Sequence, residues 1–125
     1  MEPVFKLTHA ENKLAELLWR CEPIASMELI QVALKEFGWK KSTTFSVLKV
    51  LINKGVAQNL KSTVTMLCTK EQFITAQNRR YIDATFDGSL PKFLVSFFGE
   101  KPISAEEAAE LRKLIDAFEG DGENG

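Results

Sequence analysis

A chain of 125 residues with 45% apolar composition buries a real core but has little room for two independent ones, so we expect two small modules, at least one completed by a partner. The net charge of −1 covers an asymmetry: residues 1–69 carry nine Lys/Arg against six Asp/Glu, and residues 70–125 carry seven against eleven. No apolar run is long enough to span a bilayer, the opening MEPVFKLTHAENK has neither the basic end nor the apolar segment of a signal peptide, and Cys21 and Cys68 belong to no C-x-x-C or Cys/His cluster. A cytoplasmic protein without membrane insertion, metal or other cofactor is expected.

Thr8-His9-Ala10-Glu11 reads as a capping box, with the Thr8 hydroxyl and the Glu11 carboxylate satisfying the first free amides reciprocally. Ala10, Leu14, Leu17, Leu18 and Cys21 follow at helical spacing until Pro23 ends the element. Ile24 fits a single short strand residue. Ser26 then caps a second helix whose inward stripe is Met27, Ile30, Leu34 and Phe37, and Gly38 stops it.

The third helix lies in KKSTTFSVLKVLINKG, residues 40–55, with Ser42 as N-cap, a body from Thr43 to Lys54 and Gly55 as terminator. A projection at about 100 degrees per residue places Thr44, Phe45, Val47, Leu48, Leu51 and Ile52 on one arc and Thr43, Ser46, Lys49, Val50 and Asn53 on the other. One arc packs and the other is free to touch something. After Gly55 the period becomes two: Val64, Met66 and Cys68 alternate with Thr63, Thr65 and Leu67, which makes a β-hairpin with a polar tip at 59–62 carrying Lys61. Three helices and a hairpin in this order form a winged helix-turn-helix over residues 1–69, the third helix being the one that enters a major groove.

Between residues 35 and 61 stand Lys35, Lys40, Lys41, Lys49, Lys54 and Lys61 against Glu36 alone, an electrostatic footprint for a polyanion. Thr43, Ser46 and Asn53 donate to or accept from base edges or phosphates, Lys49 reaches guanine acceptors or a phosphate, and Val50 suits a thymine methyl. Ser42 and the amides beside it suit a phosphate, and Lys40, Lys41, Lys54 and Lys61 supply charge toward the backbone. The competing reading is an ordinary solvated lysine face. Catalysis has no foothold, because His9 is the only histidine and no Ser, Cys or carboxylate set is spaced to work with it, so no enzyme is expected.

From Thr69 the chain is helical again. Thr69-Lys70-Glu71-Gln72 is a second capping box opening a helix to about Phe86, Gly88 breaks it, Ser89 to Phe98 is shorter, and Ser104 caps a last amphipathic helix. The fold class is thus mainly α with a small β-hairpin, a winged helix-turn-helix followed by a three-helix dimerisation arm over 70–119 and a disordered tail over 120–125. The arm holds six of the nine phenylalanines, more aromatic surface than three short helices can cover by themselves. A second copy covers it in a homodimer through Phe73, Tyr81, Phe86, Leu90, Phe93, Leu94, Phe97, Phe98, Leu111, Ile115 and Phe118. The alternative is an arm folded back on its own N-terminal module.

Three stretches, KLTHAENKLAELLW with Trp19, WKKSTTFSVLKVLINKG from Trp39 to Gly55, and FDGSLPKFLVSFFGEKPISAEEAAELRKLI, resemble in register the penicillinase repressor family of bacterial winged-helix repressors. The resemblance implies a homodimeric transcriptional repressor on a palindromic operator in double-stranded DNA, controlling a β-lactam-resistance-like or other stress operon. It also implies a membrane sensor protease as partner, cutting in the short aromatic helix at the bond that corresponds to Ser96-Phe97. Val50 stands where the family usually has Arg, Thr44 where it has a branched apolar residue, and the wing NLKSTVTML is less basic and aromatic than usual. The copper-sensing branch's C-terminal cysteine motif is missing. The missing Arg at Val50 and the weak wing keep a second function open, a winged-helix protein-interaction module without specific DNA binding.

Overall fold

The Thr8 hydroxyl accepts from the Glu11 amide and the Glu11 carboxylate accepts from the Thr8 amide, each at 3.2 Å, so the first capping box forms as its residue types dictate and starts α1 (His9–Cys21). In this computed structural model, which describes residues 6–120, the chain continues through β1 (Ile24–Ala25), α2 (Ser26–Phe37), α3 (Lys41–Asn53), β2 (Ala57–Leu60) and β3 (Thr63–Met66). It ends in three helices, α4 (Lys70–Phe86), α5 (Leu90–Phe98) and α6 (Ala105–Phe118). The winged helix followed by a helical arm is the expected fold class. Of the tail expected over 120–125, residues 121–125 lie outside the described residues.

The sheet is antiparallel in the order β1-β3-β2, with Ile24 opposite Val64 and Leu60 opposite Thr63. The two residues between β2 and β3, Lys61 and Ser62, both have positive φ, 51° and 64°, the pattern of the tight type I′ turn whose twist matches that of the strands. Ser62 is held from behind, since its carbonyl accepts from the Ser26 amide at 2.8 Å. One face of the sheet supplies Val64, Met66 and Ala57 to the core, and Gln58 bonds Thr65 across the other at 3.1 Å.

Leu14, Leu17 and Leu18 of α1, Leu29 and Ala33 of α2, Leu48 and Leu51 of α3, and Val56 and Val64 of the hairpin form one buried cluster. Phe73 of α4 belongs to it as well. That corrects its assignment to the dimerisation set: the Phe73 ring lies 5.5 Å from Trp19, 2% exposed, and is used up inside one chain.

Three local expectations also change. Helix α3 begins two residues early, with extended Lys40 (φ −71°, ψ 158°) as its N-cap, so Ser42 sits in the first turn and caps nothing. Ala25, not Ser26, precedes α2, and Ser26 is its first, buried residue. The buried face of α2 is Ser26, Leu29, Ile30 and Ala33, while Met27 and Leu34 are more than half exposed. The buried side combines small Ser26 and Ala33 with Leu29 and Ile30, so a stripe of large residues alone does not mark it.

Candidate nucleic-acid interface

Only a narrow strip of α3 is buried, Thr44, Leu48 and Leu51. The opposite half of the helix, turning from Phe45 through Lys49, Ser42, Asn53 and Ser46 to Thr43, faces solvent, and Val50 is half-buried at its margin. The proposed reading arc therefore lies outward as the helical projection places it. Phe45 was missed: the projection put it on the packing arc, but it is 40% exposed, with the Lys41 ammonium 5.8 Å from its ring centre. The signal available was the spacing of Lys41 and Phe45, four apart and so neighbours on one helix face.

The first turn of α3 has neither a side-chain cap nor an acidic residue, whereas Thr8, Thr69, Ser89 and Ser104 cap α1, α4, α5 and α6. Its amides point past Lys40, Lys41 and Ser42, all exposed, and the positive end of the helix dipole adds to their charge. Such an end accepts a phosphate. Lys61 is exposed at the tip of the wing.

Lys54 does not fit the backbone-charge role assigned to it. Its ammonium bonds the Glu11 carboxylate and the Lys6 carbonyl, the latter at 3.0 Å, and only 24% of its side chain is exposed. The Lys54 hydrogen bond holds the Glu11 carboxyl below its ordinary pKa, against burial, which pushes the other way. At the other end of α3, the Phe37 and Trp39 rings meet at 4.8 Å, tilted by 50°, and the Lys13 ammonium lies over both rings at 4.6 and 5.8 Å.

The arm presents a contrasting surface. Tyr81, Phe86, Phe93, Phe97 and Phe98 form a continuous run of ring contacts 5.7–6.5 Å apart that joins α4 to α5, yet no residue of α5 or α6 is buried. Phe97 is 71% and Phe118 83% exposed, Tyr81, Leu90 and Ile115 are more than half exposed, and Phe86, Phe93, Leu94, Phe98 and Leu111 are intermediate. Ser96 and Phe97, the expected cleavage pair, are both exposed, within α5. Among the described residues no helix is long and apolar enough to cross a membrane, and no group of three or more His, Cys, Asp or Glu is placed to hold a metal ion.

The model of the family described as penicillinase repressor matches residues 7–117 of the chain. A penicillinase repressor from Bacillus licheniformis is 22% identical over 120 residues, covering 93% of this chain and 94% of that protein.

Proposed function

Because the chain belongs to the penicillinase repressor family, we propose that it is a transcriptional repressor that binds a palindromic operator in double-stranded DNA as a homodimer and blocks the promoter there. The carrying observation is α3: anchored by Thr44, Leu48 and Leu51, it turns outward Thr43, Ser46, Lys49 and Asn53, side chains able to reach base edges, behind an uncapped, lysine-flanked N-terminus suited to a phosphate. The Lys61 wing tip adds a second backbone contact beside the groove. The unburied apolar residues of α5 and α6 support the dimer, because symmetric pairing covers them and fixes the spacing of two reading helices. A membrane sensor protease acting at Ser96-Phe97 would release the operator by severing α5, after that bond leaves its helix.

Gel-shift titration against the DNA immediately upstream of the protein's own gene, beside a scrambled duplex of equal length, tests this reading. Preference for the upstream duplex is expected. Equal affinity for both at low salt would support the second reading, a winged-helix protein-interaction module, for which half-buried Val50 and the exposed wing residues Leu60 and Leu67 are the observations.

A further inference from the structure

We infer that Glu11 and Lys54 form a positioning pair that fixes the roll of the reading helix against α1, and that Lys54 contributes to operator selectivity through this pair and not by touching DNA. The inference rests on the DNA-binding reading above and deepens it.

Three observations carry it. First, the seat of α3 is apolar apart from Thr44, whose hydroxyl has no partner among the described residues: Leu48 and Leu51 are buried and Val47 and Ile52 partly buried beside them, so directional bonds that set the helix's rotation have to come from its ends. Second, the Lys54 ammonium at the C-terminal cap of α3 is held by two acceptors outside its own helix, the Glu11 carboxylate and the Lys6 carbonyl, and charge-assisted hydrogen bonds have the direction that packing lacks. Glu11 is itself immobilised, because the same carboxylate oxygen closes the capping box with Thr8. Third, the opposite end of α3 is held from the same part of α1: Lys13 covers Phe37 and Trp39, the residues that lead into the helix. Two residues of α1, Glu11 and Lys13, thus hold the two ends of the helix whose exposed arc reads bases. The Lys54 charge is already matched within the protein at a site with side-chain exposures of 24% and 12%, which leaves it little counterion to release on meeting a phosphate.

The test compares the full-length protein with Glu11→Gln, Lys54→Met and the double variant, on the upstream duplex and on the scrambled one, over a range of salt. The double variant leaves net charge unchanged, and Gln at position 11 keeps a capping-box residue, so altered charge and a lost helix start are both controlled. Each single variant is expected to reduce the preference for the upstream duplex by about tenfold, the worth of roughly one misaligned base contact. The double variant should lose no more than either single, with scrambled-duplex affinity and salt slope as in the wild type. Circular dichroism checks that each variant is folded at the assay temperature; should Lys54→Met be unfolded, Glu11→Gln alone decides, since a freed lysine that contacts phosphate would tighten binding. Tighter binding by Glu11→Gln, a salt slope flattened by about one in Lys54→Met, or wild-type preference in the double variant would each overturn the pair's role while leaving the DNA reading intact. Absence of preference in the wild type would instead remove the DNA reading and this inference with it.

Discussion

The indole N–H of Trp19 donates to the Cys68 carbonyl at 2.9 Å, while the ring of the same side chain lies 5.5 Å from that of Phe73, tilted by 54°. One residue of α1 thereby holds both the segment entering α4 and the first turn of α4. The module boundary read from the sequence at 69/70 falls at the N-cap of α4, so a cut there would leave Trp19 uncovered. Phe73→Ala is expected to destabilise the protein by about 3–5 kcal/mol, as for other large-to-small changes in a core. A fragment ending at residue 69 should likewise unfold at much lower urea than one ending at residue 78. Equal midpoints for the two fragments would show that α4 adds nothing to the winged helix.

Thr44 is fully buried and its hydroxyl has no hydrogen-bond partner among the described residues. Valine has the same shape without the unsatisfied oxygen. Thr44→Val is therefore expected to stabilise the fold by about 1–2 kcal/mol, read as a raised denaturant midpoint at unchanged slope. A lowered midpoint would mean that the hydroxyl is bonded in solution.

The pH dependence of stability follows from Glu11. Its carboxyl is held below its ordinary pKa, chiefly by the Lys54 hydrogen bond, so the folded state binds fewer protons there than the unfolded state does. The resulting stabilisation is complete above the unfolded value, about pH 4.3, and is lost as pH falls through the folded value. Denaturant midpoints of the wild type and Glu11→Gln should therefore differ at pH 7 and converge in acid. A gap that stays constant down to pH 2 would contradict the ion pair.

In the dimer reading, Phe97→Asp places a charge among the rings of Phe93 and Phe98 and should shift sedimentation from dimer toward monomer without changing the melting of the winged helix. A wild-type monomer at micromolar concentration would remove the dimer, and the palindromic operator with it.

Lys49 lies on the exposed half of α3 and Lys61 on the wing tip, and their substitutions should differ in kind. Lys49→Ala is expected to cost about 1–3 kcal/mol on the upstream duplex and to relax base preference, whereas Lys61→Ala should weaken binding to every duplex alike and reduce the salt slope by about one. If Lys49→Ala left both affinity and preference untouched, the reading arc would be misplaced.

What was legible in the sequence is what is local. The capping boxes at Thr8 and Thr69 span four residues each, and the period-two run through Val64 and Met66 needs only its own strand, so both could be read directly. The face of α2 could not, because Met27, Leu29, Ile30, Val32, Leu34 and Phe37 surround the helix with apolar side chains, and small Ser26 and Ala33 mark the buried side. Phe73 looks like any other phenylalanine of the arm until Trp19, far away in the chain, is brought beneath it. Lys54 reads as one more cation of a basic stretch for the same reason, since its partner Glu11 lies forty-three residues earlier. The arc of α3 was visible because helical geometry alone separates Leu48 from Lys49, but its edge at Phe45 depended on how α1 and α2 sit against it.

The bond from the Ser26 amide to the Ser62 carbonyl ties the tip of the wing to the start of α2, and the two-residue turn has no slack to extend. The backbone of the tip is thereby held, and its reach is left to the exposed Lys61 side chain. In the DNA-binding reading, adjustment between wing and groove then falls to the Lys61 side chain and to the duplex. Sequences that bend cheaply would be favoured at base pairs that no side chain touches, so part of the operator's identity would be written in its stiffness.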